Sequence, residues 1–273
     1  MGDSIKYVFS RRIILPALLF FSLSIISTSS SASPWARTDG EILIISRAEY
    51  FSTDLTPANV GEPIGQFQRL ESNNYFEYGL TESITIGGKA IYGTTWLNNA
   101  AVSQSQSGFS ELEGFGQYQI LRSNKHAASI RVAAATPVQL QSGARTSLMG
   151  KGVDLDFSAL YGRDLLFKPV KIFTAAELGY RKNIGENADQ IRTQITFGIE
   201  PHRRVLVLVE AFGTMSMQNH QKDGADFDIV KLQPSLVIKA TERWSIQAGL
   251  NREVAGRNLE LGRTFFIGLW SRF

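Results

Sequence analysis

Hydrophobic residues recur at every second position along much of this 273-residue chain. Ile84, Ile86, Ala90 and Tyr92 alternate with Thr85, Lys89 and small residues. Val170, Ile172, Ala176, Leu178 and Tyr180 alternate with Lys171, Glu177 and Arg181, and Ile195, Phe197 and Ile199 with Gln194, Thr196 and Glu200. Val230, Leu232, Leu236 and Ile238 alternate with Lys231, Gln233, Ser235 and Lys239, and Trp244, Ile246, Ala248 and Leu250 with Ser245, Gln247 and Asn251. A period of two places successive side chains on opposite faces of a strand. Beyond Ala32 no stretch holds an apolar face at helical spacing, so the chain is expected to be all-β. A mean hydropathy near zero excludes a polytopic helical membrane protein, which needs several long apolar runs.

The connections alternate in length. Short ones fall at Thr81-Glu82, Ser123-Lys125, Leu166-Pro169, Pro201-Arg203 and Thr241-Arg243. Longer ones, rich in Gly, Asn, Ser and Gln, span Asp54–Gln66, Asn98–Gly108, Leu140–Gly152, Ile184–Gln190, Gln218–Asp226 and the surroundings of Gly256. This spacing gives a meander of about twelve strands with both ends on the short-turn side, the layout of an antiparallel up-and-down transmembrane barrel. In lipid an unpaired N–H or C=O finds no water, so a spanning sheet must close on itself. Tyr50, Tyr78, Tyr92, Tyr161, Tyr180, Trp244 and Trp270 lie near strand ends, where interfacial aromatic girdles are expected. A soluble β-sandwich also alternates and is the competing architecture.

The first segment reads as an address. Met1–Arg12 is basic, Ile13–Ile26 almost wholly apolar and Ser27–Ala32 small and polar, which is the three-part secretory signal with a cut ahead of Ser33. Its apolar run of ~14 residues carries Pro16 and falls short of the ~20 that a spanning helix needs. Residues 1–32 are therefore expected to be removed, leaving 33–273 as the barrel domain. Lys6, Arg11 and Arg12 against Asp3 hold most of the net charge of +3, so the mature chain is close to neutral. With no cysteine, disulfides, thiolate metal sites and a cysteine nucleophile are excluded.

The final segment, Arg263 to Phe273, ends on an aromatic, and Phe265, Ile267, Leu269 and Phe273 share one parity. It resembles the carboxy-terminal strand of Gram-negative outer-membrane barrels, whose terminal aromatic is read by the barrel-assembly machinery. Ser271 stands where that family usually carries an apolar or aromatic residue. The resemblance implies an assembly signal at Phe273, Leu269 and Ile267. Tyr78-Gly79-Leu80-Thr81-Glu82-Ser83-Ile84-Thr85-Ile86-Gly87 is similar to the hairpin of a poorly characterised, transporter-like family of proteobacterial barrels. That likeness implies an outer-membrane address and transfers no catalytic residue.

Assigning the apolar parity to lipid leaves an inward set. Arg47, Glu77, Lys89, Glu111, Glu113, Arg131, Asp154, Asp156, Glu177, Arg192, Glu210 and Lys231 are the candidate selectivity groups, and the same parity turns Glu49, Lys171, Arg181, Glu200 and Lys239 inward. Mixed charge suits a polar pore; it equally suits a lumen filled by ion pairs. Asp154 and Asp156 with Glu111 and Glu113 form an acidic patch that could hold a cation but is expected to pair with Arg131 or Lys89. His126 and His202 fall at short turns. His220, near Asp223 and Asp226, is the one candidate base, with no serine placed beside it by any motif. No catalytic residue, metal ligand or cofactor is expected. Nucleic acid is excluded as a partner, since no basic stripe is interleaved with aromatics. The expected partners are outer-membrane lipid, the assembly machinery and small solutes. The expected activity is passage or binding of those solutes, with a non-conducting structural or adhesive barrel as the alternative.

Overall fold

The structure, a computed structural model, describes residues 33–55, 65–99, 103–136, 138–139, 148–149, 152–167, 170–185, 187–217 and 227–273. Its strands are β1 (Ile42–Leu55), β2 (Gly65–Gly79), β3 (Ile84–Asn99), β4 (Ser103–Arg122), β5 (His126–Ala135), β6 (Val138–Gln139), β7 (Leu148–Met149), β8 (Val153–Phe167), β9 (Val170–Ile184), β10 (Gln190–His202), β11 (Val205–Ser216), β12 (Asp228–Lys239), β13 (Trp244–Arg257) and β14 (Arg263–Arg272). Twelve of them form one closed antiparallel barrel in chain order, while β6 and β7 make a small ribbon of their own. β14 closes on β1, where Ile42 N donates to Phe273 O at 2.9 Å and Phe273 N to Ile42 O at 3.0 Å. Both ends of the barrel sequence thus lie at the short-turn end.

Alternation along the strands becomes inside against outside. On β12, Ile229, Gln233, Ser235 and Val237 are buried inward, and Val230, Leu232, Leu236 and Ile238 are exposed outward. Leu178 and Ile195 are each 60% exposed and Ile267 58%. A soluble sheet hides such side chains, so the outward band fits acyl chains, and the sandwich alternative fails on both closure and polarity. Phe273 and Leu269 are exposed on the same face as Ile267.

Three expectations need correction. Within the segment Asn98–Gly108, residues 98–99 and 103–108 are strand rather than loop, because β3 and β4 stay paired from Gly93↔Gly108 to Asn98↔Ser103. Its hydroxyl and amide side chains bond across the hairpin, Ser103 Oγ to Asn98 Oδ1 at 2.8 Å and Thr94 Oγ1 to Ser107 Oγ at 2.8 Å, so polar composition and strand coexist there. Gly256 lies within β13, and the reversal follows it, with Asn258 at a positive φ of 60°. Trp270 is no girdle residue: it points into the barrel at 1% exposure and donates from Nε1 to Gln247 Oε1 at 3.0 Å. Residues 1–32, His220 and the Gln218–Asp226 loop lie outside the described residues.

Candidate functional site

The interior is layered. At the short-turn end, inward positions of several strands carry apolar side chains: Leu43 and Ile45 on β1, Tyr75 on β2, Phe115 on β4, Leu206 and Leu208 on β11, Val237 on β12 and Trp270 on β14. Tyr75 stacks on Phe115 with ring centroids 5.8 Å apart, and the Arg131 guanidinium lies 4.6 Å from the Phe115 centroid. These side chains meet across the lumen and make a floor, which period-two reading of single strands does not show.

Beside that floor lies the segment Ser33–Thr38, folded into the barrel from the short-turn end. Ser33, Pro34, Ala36 and Arg37 are buried. Wall side chains hold its backbone: Gln117 Nε2 donates to Ser33 O at 2.9 Å, Ser129 Oγ to Pro34 O at 2.5 Å, and Arg37 N to Thr85 Oγ1 at 2.8 Å. Arg37 Nε donates to Glu77, which also accepts from Tyr75 Oη at 2.5 Å. Arg37 Nη2 is buried with no hydrogen-bond partner among the described residues. Gly162 makes the seat possible, because a Cβ there would collide with the Trp35 ring and stand 2.5 Å from Pro34 Cγ. Neither the seat nor its occupant was legible in sequence; the one signal was a Pro34-Trp35 pair a few residues ahead of β1.

Above the floor, towards the long-loop end, lies a cavity of about 290 Å³. Five cations line it (Arg47, Lys89, Arg131, Arg192, Lys231) together with five carboxylates (Glu49, Glu113, Asp156, Glu177, Glu210), so it is charge-balanced. The candidates Glu111 and Asp154 are not among the residues lining this cavity, and Glu77 lies lower, bonded to Arg37. Lys171 has the inward parity but is exposed, near the short-turn end of β9. Glu200 and Lys239 pair at 3.0 Å, also at that end.

The acidic patch is spoken for, mainly by a residue given only a minor place in the sequence reading. Arg181 on β9 donates to Asp156 from Nε at 2.9 Å and Nη2 at 2.6 Å, and to Asp154 from Nη1 at 3.2 Å. Glu113 and Glu111 stand 3.7 and 3.9 Å from the same guanidinium, and Lys89 reaches Glu111 at 3.0 Å. Arg131 instead bonds Gln117, at 2.8 Å from Nη2, and Glu177 lies 3.8 Å away. The carboxylates converge on a guanidinium rather than on open space, and no group of acidic and histidine residues among the described residues is arranged to hold a metal ion. Glu210 is buried at 1% exposure and accepts from Gln233 at 2.8 Å and Gln194 at 3.2 Å. The least committed cations are Arg192, 3.6 Å from Asp156 with its side chain 40% exposed, and Lys231, 3.5 Å from Glu253 and 35% exposed. Of the described histidines, His126 shares a 2.7 Å bond with Tyr161 Oη and His202 accepts from Arg204 N, both at the short-turn end and away from the cavity. Buried Glu71, bonded by Ser110 at 3.0 Å, is an inward carboxylate that the sequence reading passed over.

No family model matches the sequence, and no curated protein matches it. Solved structures do. An outer membrane channel from Pseudomonas putida F1 superposes with a TM-score of 0.70 at 14% identity, over 90% of this chain and 100% of that one. The porin KdgM, in complex with disordered oligogalacturonate, gives 0.50 at 6% identity over 85% and 99%. The β domain of the Bordetella autotransporter BrkA gives 0.50 at 12% over 86% and 100%. At these identities the likeness is one of fold, that of outer-membrane barrels.

Proposed function

We propose that this chain is an outer-membrane barrel that admits small polar solutes from the long-loop side and passes them inward when Ser33–Thr38 withdraws. The observation that carries this reading is the pairing of a charge-lined cavity of about 290 Å³ with a plug held by side-chain contacts. Releasing such a plug breaks no strand pairing. The volume lies near the lower end of ligand pockets, ~300–1,000 Å³, which suits a small molecule. Balanced lining charge favours zwitterionic or neutral polar solutes over a strongly charged one. In this reading the secretory signal, residues 1–32, is removed, and Ser33 becomes the free tip of the plug. Phe273, Leu269 and Ile267 guide assembly, the cavity-lining charges select solutes, and no residue performs covalent chemistry.

The apolar floor favours a second reading, a non-conducting barrel of the envelope, because Leu43, Leu206, Leu208 and Val237 are essentially inaccessible to solvent. Planar-bilayer recordings separate the two. The mature chain should open rarely, whereas a variant lacking residues 33–37, and Gly162→Leu, which fills the plug's seat from the wall, should each show at least tenfold more open time. Two folded variants with no events above background would establish the non-conducting reading. A mature chain as open as both variants would remove the plug from the mechanism.

A further inference from the structure

The outer face holds a feature that neither lumen nor plug explains. On β13 the outward residues Trp244, Ile246, Ala248 and Leu250 are followed by Arg252, with exposed Val254 beyond it, and on β14 the outward run from Phe273 back to Phe265 ends at Arg263. Register brings these two arginines together: Leu250 lies opposite Phe265, and the next outward pair is Arg252 opposite Arg263. Directly opposed like charges destabilise a sheet. Both arginines are exposed, and neither side chain has an ion pair or hydrogen bond among the described residues. Their neighbours across the sheet, Leu232 on β12 and Ser52 on β1, bring no carboxylate to the row.

The height of the pair is informative. From Phe273 to Arg263 is ten residues, which at ~3.3 Å each and a tilt of ~40° spans about 25 Å, the height of the apolar band of such barrels. Trp244 and Phe273, edge to face at 5.8 Å, mark the short-turn border of that band, so Arg252 and Arg263 lie near its border at the long-loop side, with exposed Val254 and Val230 one step beyond them. Just below them Phe265 faces outward beside Tyr50, both exposed. Two guanidinium forks above an apolar step match a ligand with phosphate above acyl chain.

We infer that Arg252 and Arg263 bind the phosphate groups of the phosphorylated glycolipid of the outer leaflet, whose acyl chains pack on Phe265 and Leu250. The inference rests on the outer-membrane orientation proposed above but not on conduction. Folded barrel in neutral-detergent micelles is titrated with bisphosphorylated lipid A, with its dephosphorylated form and with phosphatidylglycerol, and retained lipid is read by native mass spectrometry. Wild type should retain bisphosphorylated lipid A at least tenfold better than the other two, and Arg252→Gln/Arg263→Gln should lose about tenfold of that retention. The single variant Arg263→Gln carries a signature of opposite signs. Without lipid it should unfold no lower than wild type, since it relieves repulsion; with lipid A it should unfold lower. Equal retention of all three lipids, undiminished retention by the double variant, or a lower lipid-free midpoint for Arg263→Gln would overturn the site. Cleavage of the long loops by protease added to intact cells tests the orientation separately, so failure of the site and failure of the orientation are distinguished.

Discussion

Arg181 shows how much a single inward residue can organise. Its guanidinium satisfies Asp156 and Asp154 directly and stands within 4 Å of Glu111 and Glu113, with its side chain only 8% exposed. Removing one partner of a buried charge group costs more than the pair contributes, because the remaining charges lose their compensation. Arg181→Met should therefore lower unfolding stability by ~3–5 kcal/mol, read from urea midpoints of the barrel in lipid vesicles. Arg181→Lys should recover part of this, since an ammonium keeps the charge but not the two-pronged contact with Asp156. An unchanged midpoint for Arg181→Met would mean that water, not the guanidinium, compensates the patch. Sequence parity placed Arg181, Glu111 and Asp156 inside but could not pair them, because pairing depends on the register between β8 and β9, where Asp156 faces Arg181.

At the level of elements, the long-loop ends of the strands carry their own local order. Asp189 in the β9–β10 connection accepts from Tyr180 Oη at 2.6 Å, Lys182 Nζ at 2.9 Å and Asn183 N at 3.0 Å. Burial works to raise its pKa, but the bonds from Lys182, Tyr180 and Asn183 outweigh it and hold the carboxyl below its usual range. A depressed folded pKa stabilises above the unfolded value, ~3.9, and that contribution is lost as pH falls through the folded one. Amide protection at Asn183 should accordingly drop as pH is taken below the unfolded value, ~3.9, and through the lower folded one, while that of Leu208 in the floor persists, and Asp189→Asn should remove the pH dependence. Protection at Asn183 that is flat with pH would show that the connection is held by its backbone alone. The strands themselves were readable from alternation, since that pattern is local. The β3–β4 hairpin was misread because Ser, Gln and Asn usually punctuate strands, whereas here the backbone ladder of β3 carries them on.

For the whole molecule, the proposed pore makes the charge balance of the cavity the determinant of ion preference. In the variant lacking residues 33–37, Lys231→Glu turns five cations against five carboxylates into four against six. Its reversal potential in a salt gradient should move towards cations relative to the parent, and no movement would indicate a dry or bypassed cavity. The sequence by itself determined that this chain makes strands, that about twelve of them build the barrel, which parity meets lipid and at which end the first barrel strand begins and the last one stops, because each follows from alternation and connection length. Only the tertiary structure decided that inward Leu206, Val237 and Trp270 converge into a floor, that Ser33–Arg37 fills the space beside it, and that Arg252 meets Arg263. Those are distances between residues far apart in the chain, set by the shear and register of a closed sheet, on which no local pattern reports.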